Sequence, residues 1–384
     1  MNVVSIRDYR LLAKKRVPHF LFEYLDGGSS SEITKNRNRV DLDNLELRQR
    51  VLRDVSNIDT STELFGTPMS MPVALAPVGL AGMYARRGEV QGIRAAENAG
   101  VPFTLSTVGI CSLKEVDTAA TNPFWFQLYM IRDRSFMRDI LAQARAAKCS
   151  ALVFTLDMPV PSIRYRDYRS GLAGESFLSG SIRRFAQAIV RPHWAWDVGL
   201  LGRPHQLGNI APVLRSDSGL SDFMAWMHNN FDPSVSWRDL NFVRENWDGP
   251  IILKGILDKD DAIEAASIGV DGIIVSNHGG RQLDGVPSTV KALPSIADAV
   301  GDRVDLLVDG GISSGLDVLK MLALGAKSVL IGRSWVYALA ARGQVGVEHV
   351  LTLLDKEIRV AMALTGCRNI SDINQDILNK YKDR

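Results

Sequence analysis

Cysteine is scarce in this chain of 384 residues: Cys111, Cys149 and Cys367 stand far apart, and no CxxC pair occurs. That spacing argues against a disulfide framework and a zinc site, and it suits a reducing cytoplasm. Charge of one sign is missing as well. Lys and Arg number 45 against 43 Asp and Glu, a formal net charge of +2, and no extended basic run gathers the excess, so a nucleic-acid partner is not expected. Long hydrophobic runs are absent too. No stretch reaches the roughly 18 apolar residues of a membrane span, and "MNVVSIRDYRLLAKKRVPHF" carries charge where a signal peptide has its apolar core. No low-complexity tract or internal repeat stands out. The remaining composition, 46% hydrophobic and 23% charged, belongs to an ordinary globular protein able to bury a large core.

What is present is alternation. Short apolar runs flanked by Gly, Pro or Asp recur as "PVALAP" (72–77), "PFTLST" (102–107), "FWFQLY" (124–129) and "ALVFTLD" (151–157). Then come "PIILKG" (250–255), "GIIVSN" (272–277), "DLLVDG" (305–310) and "SVLIGR" (328–333). All are continuous, as in strands covered on both faces. Helical patterns such as "RGEVQGIRAAENAG" and "DRSFMRDILAQARAAKC" separate most of them. Eight such units predict a (β/α)8 TIM barrel. An open doubly wound sheet is the competing fold, but no GxGxxG fingerprint follows the first strand. Residues 1–70 predict an N-terminal helical extension, and 158–249 a long insertion after strand 4, all within a single domain spanning 1–384 whose barrel occupies 71–384. The Gly-, Ser- and Pro-rich middle of the insertion, "SGLAGESFLSGS" and "LGRPHQLGNIAPVLRSDSGL", predicts a mobile loop, followed by a helix beginning near "DPSVSWRDL".

In such a barrel chemistry sits at the C-terminal strand ends. Those ends carry Ser106, Gln127, Tyr129, Thr155, Asp157, Lys254, Ser276, His278, Arg281, Asp309 and Arg333. One polar group at a strand exit is ordinarily a solvated cap; agreement around the barrel points to a site. The last two turns, "DGGIS" and "IGRS", place Gly310, Gly311 and Gly332 where backbone N–H groups commonly cradle a phosphate, with Arg333 adding charge. Tight turns alone would also explain the glycines.

"SNHGGRQ" (276–282), with "YLDGG", "APVG", "TLST", "FQLY", "TLDMP", "LKGI", "DGGI" and "GR" in order, resembles the FMN-dependent α-hydroxy acid dehydrogenases and oxidases over nearly the whole chain. The likeness is greatest to the bacterial members that oxidise L-lactate and pass electrons to the respiratory chain. It implies FMN as cofactor and two-electron oxidation of a 2-hydroxy acid to a 2-oxo acid, with a quinone as acceptor. An oxidase making hydrogen peroxide, a dehydrogenase for mandelate or glycolate, a non-redox FMN barrel isomerase and a noncatalytic scaffold are the alternatives. Arg281 suits the substrate carboxylate because guanidinium binds it bidentately, and Arg164 is similar to the family's second arginine. Tyr24 and Tyr129 resemble its substrate-contacting tyrosines, although Tyr24 in "FLFEYL" could also be helix core. His278 is the expected base, its proton affinity raised by Asp157; whether it takes the α-carbon proton or the hydroxyl proton stays open. Lys254 is expected beside the flavin, where an ammonium stabilises the anionic reduced ring, with a Schiff-base lysine as alternative. Ser106, Gln127 and Thr155 resemble flavin hydrogen-bond partners, Ser276, Asp309, Gly310, Gly311, Gly332 and Arg333 complete the cofactor site, and the backbone of Ala76, Pro77 and Gly79 is expected near its N5 side. Two departures stand out. Val108 replaces a tryptophan of some oxidases, and Gly79 stands where several members have alanine.

"SIRRFAQAIVRPHWAWDVGLLGRPHQLGNI" mixes Arg183, Arg184, Arg191 and Arg203 with Phe185, Trp194 and Trp196. This suits an interfacial zone, so residues 180–210 are expected to make a peripheral contact with the cytoplasmic face of the inner membrane. The alternative is a lid in which both tryptophans pack on the barrel. The resemblance also implies a homo-oligomer, a tetramer.

Overall fold

The structure is a computed structural model describing residues 2–174, 177–211, 226–227 and 229–379. Every apolar run named above forms a strand: β3 (Val73–Leu75), β4 (Thr104–Ser106), β5 (Trp125–Tyr129), β6 (Ala151–Thr155), β7 (Ile251–Ile256), β8 (Gly272–Val275), β9 (Asp305–Val308) and β10 (Ser328–Ile331). They pair in parallel in the order β3-β10-β9-β8-β7-β6-β5-β4. A parallel bridge between Leu75 and Phe103 closes the ring.

Side-chain alternation explains why the runs are continuous. Ala74, Trp125, Ala151, Val153, Ile252, Ile274, Leu307 and Leu330 point inward and form one cluster inside the barrel. Their neighbours, such as Val73, Leu105, Phe126, Phe154, Ile273 and Val329, point outward into the layer beneath the helices. Those helices include α4 (Gly88–Ala99), α5 (Leu113–Ala119) and α6 (Arg134–Ala146). The last helical segment, Arg333–Thr365, breaks at Gly343, whose φ of 62° suits glycine.

The N-terminal extension is helical as predicted in α1 (Ile6–Arg16), α2 (His19–Asp26) and α3 (Ile33–Asn44). It also holds an antiparallel hairpin, β1 (Thr62–Leu64) and β2 (Thr67–Met69), which the sequence reading lacked. Leu64, Phe65 and Met69 pack onto the interior cluster, and Phe65 meets Trp125 edge-on at 6.0 Å, so the hairpin plugs the N-terminal mouth. Chemistry is left to the other end.

The insertion departs further from expectation. The second half of "SGLAGESFLSGS" is not loop but the start of α8 (Phe177–Ile189), which follows α7 (Tyr165–Ser170). Gln187 on α8 ties it down, accepting the Phe20 N–H at 2.8 Å and donating to the Ser170 carbonyl at 2.9 Å. Of the second expected mobile stretch, 201–220, residues 212–220 lie outside the described residues, whereas Leu207, Asn209 and Ile210 are buried and packed. The helix expected near 232 begins after a turn, at Asp239.

Candidate active site

Lys254 lies near the end of β7 with only 3% exposure, so its ammonium needs partners. It donates to Ser276 Oγ at 2.9 Å and pairs with Asp309 Oδ2 at 3.1 Å, while the Ser276 hydroxyl donates to Asp309 Oδ1 at 2.7 Å. Burial works against the ammonium, but Asp309 and Asp157 raise its pKa on balance. A permanently charged lysine suits an anionic partner and not Schiff-base formation.

Beside it, Asp157 follows β6 and holds His278: Nδ1 lies 2.9 Å from Asp157 Oδ1. Room for this carboxylate comes from Gly255, at an irregularity in the β7–β8 register, where a Cβ would sit 2.6 Å from Asp157 Cγ. His278 itself has a left-handed φ of 57°, steadied by donation of its N–H to Ser276 Oγ at 3.0 Å. One expectation is corrected here. Burial lowers the His278 pKa below 6.5 and outweighs the raising influence of Asp157. The pair raises affinity for a proton only relative to a buried imidazole standing alone.

Arg281 donates to the carbonyls of Tyr24 at 2.6 Å and Gly27 at 3.1 Å, at the C-terminus of α2. Its guanidinium lies 4.9 Å from the centre of the Tyr24 ring, and that of Arg164 lies 5.5 Å from the same ring. Tyr24 is therefore no mere helix core: two cations flank it. Tyr129 stacks on Phe231 at 4.8 Å, and burial pushes its phenol up. Arg164 is nine-tenths buried, and burial together with Arg281 lowers its pKa. An anion between the two guanidiniums would relieve both.

On the opposite side Gly310 and Gly311 turn with φ of 104° and 80°. Arg333 reaches the Leu25, Gly27 and Gly279 carbonyls at 3.1, 2.7 and 2.8 Å, and burial lowers its pKa to about 10, still well above neutrality. Ser106, Gln127 and Thr155 form a hydrogen-bonded row across three strand ends, at 3.1 and 3.0 Å. This row, Ser276 and Asp157 stand behind the wall of a cavity of about 460 Å3; Ala76, Pro77, Gly79, Tyr24, Tyr129, Arg164, Lys254, His278, Arg281, Asp309, Gly310, Gly311, Gly332 and Arg333 line it. The two departures noted in the sequence touch each other: a Cβ on Gly79 would come 2.8 Å from Val108 Cγ2.

The sequence reading missed the part that α3 plays in the site. Asn38 and Asn277 exchange amide hydrogen bonds at 2.8 and 2.7 Å, and Arg39 donates to Gly311 O at 3.1 Å, so α3 buttresses the loops after β8 and β9. Lys35, Asn38 and Arg39 all reach the cavity. The available signal was a helix, "ITKNRNRVDLDN", with hardly any apolar stripe to bury.

A (β/α)8 barrel with a histidine–aspartate pair, two arginines and a buried lysine at its C-terminal mouth defines a class that the comparisons identify. The chain belongs to the FMN-dependent dehydrogenase family, whose model matches residues 13–380. It is 60% identical over 380 residues to L-lactate dehydrogenase of Caulobacter sp. (strain K31), covering 99% of each. It is 57% identical over 382 residues to L-lactate dehydrogenase of Ectopseudomonas mendocina (strain ymp), covering 100% of each. Among solved structures it superposes on the monotopic membrane protein (S)-mandelate dehydrogenase with a TM-score of 0.91 at 34% identity, covering 99% of this chain and 100% of that one. A mandelate oxidase structure gives 0.83 at 38% identity over 98% of each chain.

The cavity fits FMN. Positive-φ glycines with Arg333 beside them suit its phosphate, the buried Lys254 ammonium suits the pyrimidine edge, and the glycine-bearing Ala76–Gly79 segment allows close approach of a planar ring.

Proposed function

We propose that this chain oxidises L-lactate to pyruvate through FMN and passes the electrons to a membrane quinone. What carries the substrate reading is the full-length identity of 57–60% to L-lactate dehydrogenases. FMN supplies the two-electron acceptor. Arg281 and Arg164 bind the substrate carboxylate, and the phenols of Tyr24 and Tyr129 orient it and the reacting hydroxyl. His278, with Nδ1 committed to Asp157, uses Nε2 as the base that takes the substrate proton. Asp157 then stabilises the imidazolium. Lys254 would set a positive charge beside the bound ring, favouring its acceptance of electrons, and Ser106, Gln127 and Thr155 would offer the ring hydrogen bonds. Gly310, Gly311, Gly332 and Arg333 hold the phosphate. Residues 1–384 act as one unit, and the active form is a homotetramer.

The same reading places the protein peripherally on the cytoplasmic face of the inner membrane. No helix among the described residues is long and apolar enough to cross a membrane. Support for a surface contact comes from α8 and the turn after it, where Phe185 is 67%, Ile182 62% and Trp196 63% exposed. The two tryptophans behave differently. Trp194 is buried and donates to the Met83 carbonyl at 2.8 Å, as a barrel-packing residue should. Arg184 and Arg191 turn inward to the Gly171 and Val17 carbonyls, while Arg183 and Arg203 stay exposed beside the apolar ridge, so apolar side chains and two arginines supply the contact.

The test is an anaerobic spectrum of the yellow protein titrated with L- and D-2-hydroxy acids, then exposed to oxygen or a quinone. Bleaching by L-lactate and reoxidation by quinone support the reading. Bleaching by L-mandelate alone, or fast reoxidation by oxygen with peroxide formed, replaces it.

A further inference from the structure

The cavity is far more cationic than its substrate requires. Among the described residues, eight lining side chains are Lys or Arg, against the single carboxylate of Asp309, which Lys254 already neutralises. Four of the eight come from the N-terminal extension: Arg7, Arg10, Lys35 and Arg39. They lie away from the substrate end. Tyr129 is on β5, whereas Arg39 bonds Gly311 and Ser313 after β9, and the strand order sets those two strands on opposite sides of the barrel. Three of the four have acidic partners behind them, Arg10 and Lys35 at Asp26 and Arg39 at Asp317.

Arg7 is different. It is exposed yet lines the cavity, so the cavity opens to solvent beside it. It also occupies the first turn of α1, where the helix dipole disfavours a cation. Arg7 therefore adds a cation at the open edge of a basic cavity, although the dipole at this end of α1 disfavours it.

We propose that α1 frames a cationic vestibule through which FMN is loaded: Arg7 and its neighbours draw the phosphate dianion to this mouth, the ring system goes in ahead, and the phosphate docks last on Gly310 and Gly311. This rests on the reading that those glycines and Arg333 hold the phosphate. A mouth lined by one sign of charge focuses the field and speeds association while leaving release to the contacts in the cradle.

The experiment follows flavin fluorescence in stopped flow when FMN is added to stripped full-length protein, and on its release from holoenzyme. Arg7→Glu should cut the association rate roughly tenfold at low ionic strength, Arg7→Ala less, and both deficits should vanish at high salt. Release should not change. Glutamate in the first turn agrees with the dipole, so α1 stays folded. Arg303→Glu, an equal charge change on an exposed residue outside the cavity lining, is the control and should load at the wild-type rate. Unchanged association at low salt in Arg7→Glu, an equal loss in Arg303→Glu, or faster release from Arg7→Glu each overturns steering. A misassigned cradle would show separately, as unaltered release from Arg333→Ala, and it would remove the destination and the proposal with it.

Discussion

His278 holds a left-handed backbone conformation that costs a side-chain-bearing residue about 1 kcal/mol or more. The Ser276 hydroxyl that accepts its N–H also bonds Lys254 and Asp309, so the strained residue is fixed to the same group that carries the buried ammonium. Its burial predicts a pH profile. A base must be neutral to accept a proton, and burial lowers this pKa, so kcat/KM should rise with pH through an acid limb below 6.5 and level off above it. Asp157 raises that pKa. Removing it in Asp157→Asn should shift the limb further to acid while the plateau falls roughly 10- to 100-fold, because the imidazolium loses its counter-charge. A limb displaced toward alkali would refute the pairing. His278→Gln should retain yellow FMN yet slow flavin reduction by L-lactate roughly 100-fold, read in anaerobic stopped flow. Arg281→Lys keeps a charge but loses the fork, and a tenfold or larger drop in kcat/KM is expected; steady-state kinetics unchanged from wild type would remove Arg281 from the substrate site.

Among the elements, the C-terminus of α2 joins the two halves of the site. Its carbonyls, the negative end of the helix, receive both Arg281 and Arg333. Asp26 anchors this end: it accepts from Tyr337 at 2.6 Å and from Arg166 at 2.8 Å and pairs with Arg10, and Arg10, Lys35 and the Tyr337 hydroxyl hold its carboxyl below the usual range despite burial. Asp26→Asn strands several cations and should cost about 3 kcal/mol in chemical denaturation. Because the folded pKa is depressed, that stability is present above the ordinary carboxylate pKa and is lost as pH falls toward the folded value. Gly255→Ala tests the β7 irregularity: with φ of 108° and a clash against Asp157, it should destabilise by about 2 kcal/mol and loosen the His278–Asp157 pair. Elements of this kind were unevenly legible in the sequence. The barrel strands were plain because burial on both faces makes each an unbroken apolar run. The motif residues were plain because the signature fixes their order. By contrast, α3 buries Thr34 and Asn38, whose side chains hydrogen-bond Gly285 and Asn277 in distant loops, which leaves no periodic trace. The hairpin of Leu64 and Met69 consists of two three-residue strands, too short for a pattern. Helix α8 was hidden by its own Ser and Gly, and the balance of burial against Asp157 at His278 depends on walls that only the fold supplies.

At the scale of the whole molecule, one end of the barrel is plugged by the hairpin and the other carries the site, so the insertion beside that mouth decides what the site meets. Its segment is not one surface. Trp194, Val198 and Leu207 are buried against the barrel, and Asn209 accepts the Leu113 N–H at 2.6 Å and donates to the Ser106 carbonyl at 3.2 Å, tying the insertion to a strand end behind the cavity wall. Replacing the entire stretch would therefore damage the site along with any membrane contact. The exposed ridge can be tested by itself. Phe185 and Trp196 are more than three-fifths exposed, so serine at both positions removes apolar surface without opening the core. Each large apolar side chain withdrawn from an interface is worth roughly 1.5–3 kcal/mol, and losing two should lower membrane partitioning by about two orders of magnitude or more. The double variant is expected in the soluble fraction after cell fractionation, with lactate-driven reduction of a soluble dye retained and reduction of a membrane quinone lost. Retention in the membrane fraction would move the contact elsewhere on the molecule. A soluble variant that no longer reduces the dye would make this ridge part of a lid, since a surface that only touches lipid has no part in the chemistry at His278.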